Sequence, residues 1–212
     1  MTLEEAIAKI KPLDHNAMEI AQKRWDSIAK PLHSLGKLET LLIQIAGITG
    51  NAEVDLSRRG LIAMCADNGV VEEGVTQTGQ EVTAIVAENF LKYDTSVGVM
   101  CKQNHAEIFP VDMGMVTDTK VRTDHKIAYG TQNMTKGPAM TREQAVKGLE
   151  AGIDMVRELN DKGYRFLATG EMGIGNTTTS SAVASVLLKQ PVEEMTGRGA
   201  GLTSEGLVRK IN

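Results

Sequence analysis

Residues 168–181 read ATGEMGIGNTTTSS and join a short apolar run to a segment rich in small and hydroxyl-bearing residues. The apolar run, residues 164–168, predicts a buried strand, and residues 177–188 predict a helix. Gly170, Gly173 and Gly175 would let the backbone turn tightly and bring its N–H groups close to an anion at the helix N-terminus. The stretch therefore predicts a strand, a phosphate-binding turn and a helix, a unit typical of α/β folds.

Two better-known glycine motifs do not fit this turn. No Gly-Lys-Ser/Thr closes it, so it is not a Walker loop, and its spacing differs from Gly-x-Gly-x-x-Gly. A bare glycine turn between a strand and a helix is a packing device about as often as a binding site. Glu171 shifts the balance towards binding, because a carboxylate among anion-binding amides is a poor structural choice unless it contacts a cationic or hydroxyl-bearing group.

The composition is that of an ordinary globular protein with room for one good core. The chain has 212 residues and a formal net charge of -4, with no cluster of basic and aromatic residues, which argues against a nucleic-acid partner. No apolar run approaches membrane-spanning length, and residues 1–11 resemble an amphipathic helix more than a signal peptide, so we expect a cytoplasmic protein. Cys65 and Cys101 lie in apolar surroundings without ligand spacing, which predicts buried reduced thiols and no zinc site.

Helical and strand-like patterns alternate along the chain, which favours an α/β fold with a parallel sheet. Asp67 and Asn68 follow the first clear strand, at the sheet edge where open α/β sheets bind ligands. Residues 116–138 are polar and irregular, a long connection of the kind that is often functional. The predicted helices are 14–29, 35–48 with Ser34 as cap, 82–91, 97–102 and 142–159 with Thr141 as cap; the predicted strands are 61–66 and 107–111.

Four ordered blocks resemble a known family. They are SLGKLE at 34–39, ADNGV at 66–70 with EGVT at 73–76, GEMGIGNTT at 170–178 and GRGAGL at 197–202. Together they span almost the whole chain and are similar to the nicotinate-nucleotide:dimethylbenzimidazole phosphoribosyltransferases of cobalamin lower-ligand assembly.

The resemblance implies an enzyme that moves phosphoribose from nicotinate mononucleotide to a benzimidazole nitrogen, giving α-ribazole 5′-phosphate and nicotinate. It implies a Rossmann-like, three-layer α/β/α fold with a mainly parallel sheet and a smaller helical part. We accordingly expect an N-terminal helical part at residues 1–50 and a phosphoribosyl-binding domain at 51–212. It also implies small-molecule substrates, a homodimer and no cofactor or metal, because no pyrophosphate leaves in this reaction.

The resemblance assigns roles to residues of this chain. The donor phosphate would lie on the turn amides and on a lysine late in the chain, which Lys210 matches by its distance from the glutamate. Glu171 would contact ribose hydroxyls or assist the base as an auxiliary catalytic residue. The full set of expected substrate-binding residues is Gly170, Gly173, Gly175, Asn176, Thr177, Lys210, Arg198, Asn68, Thr76 and Ile85.

Two departures from the family pattern matter. Family members continue beyond Asn212, and their main catalytic glutamate lies there in a Leu-Gly-Glu-Gly-like motif. We therefore expect the chain as given to transfer phosphoribose very slowly or not at all by itself. In the acceptor pocket, Asn68 stands where the family usually has His, Thr76 replaces Ser, and Ile85 falls where Gln is common. Fewer groups that can orient a ring nitrogen predict weak discrimination among acceptor bases.

Three hypotheses stay open at this point. The first is the phosphoribosyltransferase activity described above. The second is one subunit of a heterodimeric relative that activates phenolic lower ligands, which a more apolar pocket would suit. The third is a non-catalytic nucleotide-binding module.

Overall fold

The computed structural model describes all residues, 1–212, and they form two compact units, Met1–Arg58 and Arg59–Asn212. The expected division into domains at residue 50 stays a prediction, since a compact unit is defined by its internal packing and not by independent folding. No helix in either unit is both long enough and apolar enough to cross a lipid bilayer.

The first unit is helical. Asp14 caps its second helix by accepting a hydrogen bond from the Ala17 N–H, and Thr2 and Glu5 form a capping box on the first. Ala17, Ala21 and Ala46 are buried where the second and third helices pack together. The helices are α1 (Leu3–Ala8), α2 (His15–Ser27) and α3 (Lys37–Thr49).

The predicted cap at Ser34 is wrong. Helix α3 begins at Lys37, and Gly36 occupies the N-cap position with φ +54°, a conformation that favours glycine. The carboxylate of Glu39 accepts a hydrogen bond from the Leu35 N–H at 3.1 Å, so the chain before the helix is held by Glu39 and not by a hydroxyl.

The second unit is built on a three-stranded parallel sheet in the order β2-β1-β3, which confirms the α/β fold. Thr141 caps the long helix before β3 with a capping box to Gln144, as its sequence predicted. The strands are β1 (Arg59–Ala66), β2 (Ala106–Gly114) and β3 (Phe166–Met172). The helices are α4 (Glu81–Leu91), α5 (Ser96–Gln103), α6 (Arg142–Asp161), α7 (Asn176–Leu188), α8 (Val192–Met195) and α9 (Ser204–Ile211), with a short 3-10 helix at Gly69–Glu73.

Side chains of β1 alternate between two apolar clusters, one on each face of the sheet. Ala63 and Cys65 pack with Ala87 and other residues of α4, whereas Ile62 packs with Met155 and other residues of α6. Helices therefore cover both faces, giving the three layers. Burial raises the pKa of the Cys65 thiol to about 12, and both cysteines are free and buried.

The last strand lies later in the chain than predicted. Tyr164 is buried, but β3 runs over Phe166–Met172 and pairs only with β1, with much of its surface exposed. Gly170 and Glu171 therefore belong to this strand, where Gly170 lies opposite Ala63. The prediction followed the apolar run at 164–168 and so placed the strand too early. A strand at the edge of a sheet, with exposed side chains, does not need to be apolar.

Residues 116–138 form no helix or extended strand, as predicted. The loop is anchored at its start by the fully buried Asp112, whose carboxylate accepts hydrogen bonds from the N–H groups of Gly114 and Met115. The other oxygen of Asp112 lies 3.1 Å from Nζ of Lys126, which is itself 12% exposed. A buried ion pair thus ties the loop to the sheet.

Candidate functional site

The carboxyl edge of the sheet has a topological switch between β1 and β3. The chain leaves β1 for β2 by way of α4 and α5 on one face, and leaves β2 for β3 by way of α6 on the other. Ligands of open α/β sheets bind in the crevice at such a point. Here the crevice is bordered by Asn68 after β1 and by residues 173–175 after β3, which we call the glycine turn.

At two of the three predicted glycines, the structure requires a residue without a side chain. Gly175 has φ +92°, and a side chain at Gly173 would collide with the carbonyl oxygen of Ala66. Gly170, within β3, has neither constraint, so the expectation that it lets the backbone turn is wrong. Its role in binding a substrate stays a prediction.

Helix α7 begins directly after the glycine turn without a side-chain cap. Gly175 is the N-cap residue, so the first-turn amides have no capping side chain and the positive end of the helix faces the crevice. The hydroxyl of Thr178, in that first turn, is buried and has no hydrogen-bond partner. The N–H groups of Asn176 and Thr178 already donate to the carbonyls of Gly173 and Gly175, so the end of α7 would attract a bound anion mainly through its partial positive charge.

Lys210, on α9, lies against the same helix end. Its Nζ donates to the hydroxyl of Thr177 at 2.9 Å and to the carbonyl of Gly197 at 3.0 Å. The residue is 8% exposed and has no carboxylate partner, and burial lowers the pKa of its ammonium. Lys210 thus lies beside the helix end that follows the glycine turn, and its positive charge is not neutralised.

Glu171 is exposed at the end of β3, but nearby segments of the same protein partly shield its carboxyl group from water. This desolvation raises the pKa of the carboxyl, and a hydrogen bond from the side-chain amide of Asn176 opposes the rise. The predicted catalytic residue therefore stands beside the glycine turn as a carboxylate that is more basic than usual.

The Gly197–Gly201 block lies beside Lys210, but Arg198 does not face the turn. Its guanidinium donates to the carbonyl of Leu202 at 2.8 Å and to the hydroxyl of Ser204 at 3.1 Å, and so holds its own loop. The contact to the site comes from Gly199, where an added side chain would clash with Thr177. A substrate contact of Arg198 stays a prediction.

The three expected acceptor-pocket residues occupy different elements. Ile85 is 57% exposed on α4, and the Thr76 hydroxyl donates to the carbonyl of Thr78. The Asn68 side chain is bonded to the region of the glycine turn, to Ile174 and Thr179. No hydrogen bond links these three residues, and their acceptor role stays a prediction.

Sequence reasoning missed one residue of this site. Thr83, fully buried on α4, accepts a hydrogen bond from the N–H of Ile174 at 3.1 Å, in the middle of the glycine turn. Its only signal in the sequence is a hydroxyl on the face of α4 that is otherwise lined by Ala84, Ala87 and Phe90.

Space for a larger ligand adjoins the turn. A groove of about 700 Å³ starts at Asn68 and Thr179 and runs along α7, with Met140 and Leu187 among its apolar lining. That volume lies in the range of small-molecule sites. No group of three or more His, Cys, Asp and Glu side chains is arranged to hold a metal ion.

Comparison with known proteins agrees with the motifs. A family model described as phosphoribosyltransferase matches residues 10–212. The nicotinate-nucleotide–dimethylbenzimidazole phosphoribosyltransferase of Ruminiclostridium cellulolyticum is 51% identical, over 100% of this chain and 60% of the relative. The enzyme of the same name from Clostridium tetani is 47% identical, over 98% of this chain and 58% of the relative.

A solved structure gives the same result. The crystal structure of CobT from Thermus thermophilus matches with a TM-score of 0.84 at 36% identity, over 92% of this chain and 60% of that one. The chain thus spans about 60% of the length of the relatives it matches. With a family model that covers residues 10–212 and relatives near half identity throughout, the chain belongs to this phosphoribosyltransferase family.

Proposed function

We propose that the protein transfers the phosphoribosyl group of nicotinate mononucleotide to 5,6-dimethylbenzimidazole or a related lower-ligand base. The products are α-ribazole 5′-phosphate and nicotinate, in cobalamin biosynthesis. The names of the relatives support this reaction. It is a proposal for this protein because the chain matches about 60% of their length.

One observation carries the proposal, the buried ammonium of Lys210 without a counter-ion beside the start of α7. A buried cation is costly unless a negative group compensates it. The uncapped first turn of α7 adds partial positive charge at the same place. A phosphate monoester supplies the missing negative charge and can accept hydrogen bonds from both the lysine and the helix amides.

The departure of nicotinate requires little catalysis by the protein. Nicotinate departs from a cationic pyridinium, so the bond from C1′ of ribose to its nitrogen breaks without a general acid. A benzimidazole nitrogen forms the new bond to C1′, and the proton of the acceptor ring passes to a base. Glu171, with its raised pKa and its place beside the turn, suits the auxiliary role of contacting ribose hydroxyls or assisting that base.

The proposed partners are small molecules and a second protein chain. A homodimer is the expected assembly and a heterodimer the alternative, and light scattering of the purified protein would separate either from a monomer.

Calorimetry with nicotinate mononucleotide and with its phosphate-free riboside tests the proposal. Hydrogen bonds to charged groups contribute roughly 1.5–3 kcal/mol each, so the mononucleotide should bind at least about tenfold more tightly. Equal affinities for the two ligands would rule out a phosphate site at the turn.

A further inference from the structure

The glycine turn is held at its middle residue from two sides. The Ile174 N–H donates to the hydroxyl of Thr83 on α4 at 3.1 Å. The Ile174 carbonyl accepts a hydrogen bond from Nδ2 of Asn68, at the end of β1, also at 3.1 Å. Both backbone polar groups of one residue are thus fixed by side chains from two other elements.

Asn68 extends this hold to helix α7. Its Oδ1 accepts a hydrogen bond from the hydroxyl of Thr179 at 3.3 Å, and its own carbonyl accepts one from Nε2 of Gln80 at 3.1 Å. Both polar atoms of the Asn68 side chain are therefore engaged with the turn and the first turns of α7.

A glycine turn needs such support. Glycine loses more conformational freedom on folding than any other residue, so a free turn with Gly173 and Gly175 would sample many shapes. Anion binding by backbone amides requires those amides to point at one place before the ligand arrives.

We infer that Asn68 and Thr83 are positioning residues that clamp Ile174 and so preset the glycine turn for the phosphate. This inference rests on the proposed function. Thr83 has no exposed surface, so it acts on a ligand only through the turn. In this inference Asn68 acts at the phosphate end of the site and not in the acceptor pocket, where the sequence had placed it.

Matched substitutions at Thr83 give the sharpest test. Thr83→Val keeps the shape of the side chain and removes the acceptor, whereas Thr83→Ser keeps the acceptor. We expect Thr83→Val to weaken nicotinate mononucleotide about three- to tenfold, the range for one hydrogen bond, with riboside affinity within about twofold of wild type. Thr83→Ser should bind the mononucleotide like wild type.

Asn68→Leu provides a second variant at a half-buried position, in case the Val variant does not fold. It is close in shape, adds no charge, and loses the donor to Ile174 and the acceptor for Thr179, so it should show the same selective loss. Either folded variant overturns the inference if its thermal midpoint falls while the ratio of mononucleotide to riboside affinity stays that of wild type.

Hydrogen exchange separates failure of the clamp from failure of the proposed function. The Ile174 amide should exchange slowly in wild type and at least about tenfold faster in Thr83→Val, whatever the ligand. If wild type binds both ligands equally, the proposed function fails, and the Ile174 exchange rate alone decides on the clamp. An unchanged rate in Thr83→Val overturns it.

Discussion

Two lysines of the larger unit are largely buried and differ in what surrounds the ammonium group. Lys126 lies 3.1 Å from Asp112 and 3.3 Å from Asp118, and its charge is neutralised within the fold. Lys210 donates only to neutral oxygen atoms, the Thr177 hydroxyl and a backbone carbonyl. Two largely buried lysines thus differ in kind, because the paired charge anchors a loop, whereas the unpaired charge is the one that we propose a phosphate compensates.

The pKa values of the two ammonium groups move in opposite directions. Burial lowers the pKa of Lys126, but the hydrogen bond and the charge of Asp112 outweigh it and raise the pKa above its ordinary value. For Lys210 burial acts without such compensation, and the pKa falls. Removing each charge in turn tests whether the surroundings of the ammonium group decide its role.

The largest effect is expected for Lys126→Met. Removing one partner of a buried pair leaves the Asp112 carboxylate buried and uncompensated, which should cost about 3–5 kcal/mol of the free energy of unfolding. Urea denaturation measures it. The double variant Lys126→Met, Asp112→Asn should recover part of the loss, and a cost below about 1 kcal/mol for the single variant would show that the pair does not anchor the loop.

A smaller effect on a different quantity is expected for Lys210→Met. The change removes a charge that has no counter-ion, so stability should change little, while affinity for nicotinate mononucleotide should fall by roughly 1.5–3 kcal/mol. Calorimetry with the mononucleotide and the riboside checks the selectivity. A variant that loses as much stability as Lys126→Met would contradict the contrast between the two lysines.

The pH dependence of stability should separate the lysines by sign. A raised pKa means that the Lys126 contribution is complete below the unfolded value of about 10.4 and is lost as the pH rises through the folded value. A lowered pKa means that the penalty for burying charged Lys210 disappears as the pH approaches about 10.4 from below.

Urea denaturation from about pH 8 to 11, on wild type and the two Met variants, measures these slopes. Neither should exceed about 1.4 kcal/mol per pH unit. At the alkaline end, the difference in unfolding free energy between wild type and Lys126→Met should shrink. The unfolding free energy of wild type relative to Lys210→Met should increase. Slopes of the same sign would mean that the surroundings of the two ammonium groups do not differ as described.

The smallest effect is expected at an exposed lysine. Lys136 pairs with Glu72 at 2.7 Å, but both side chains are more than half exposed. Solvent screens such a pair, so Lys136→Met should leave both the urea midpoint and mononucleotide binding unchanged within error. A clear loss would show that burial is not what distinguishes the other two lysines.

Much of the fold could be predicted from local patterns. Asp14 and Thr141 mark helix starts that the structure has, because a capping residue acts on amides two or three positions away. The first strand was predictable because it is central and buried on both faces. The bounds and exposure of the edge strand β3 and the glycine cap at Gly36 were not, because both depend on neighbours that no short window contains.

The candidate site also has features that could be predicted from the sequence and features that could not. The glycine turn was predictable from its motif and the late lysine from the family resemblance, and the structure places Lys210 against Thr177 in the first turn of α7, directly after the glycine turn. The clamp on Ile174 was not, because Thr83 differs from an ordinary helix residue only by a hydroxyl on an apolar face. Asn68 was noticed as an unusual residue, yet its hydrogen bonds could be assigned only once the turn was seen beside it.

The clamp also bears on how the protein folds. Its hydrogen bonds join residues 106 positions apart for Asn68 and Ile174 and 91 apart for Thr83 and Ile174. Contacts of such sequence separation require a long stretch of chain to lose its freedom, so we expect the turn to take its shape late in folding. A ligand of the turn therefore binds only the completed fold, and by mass action it stabilises the whole unit against unfolding.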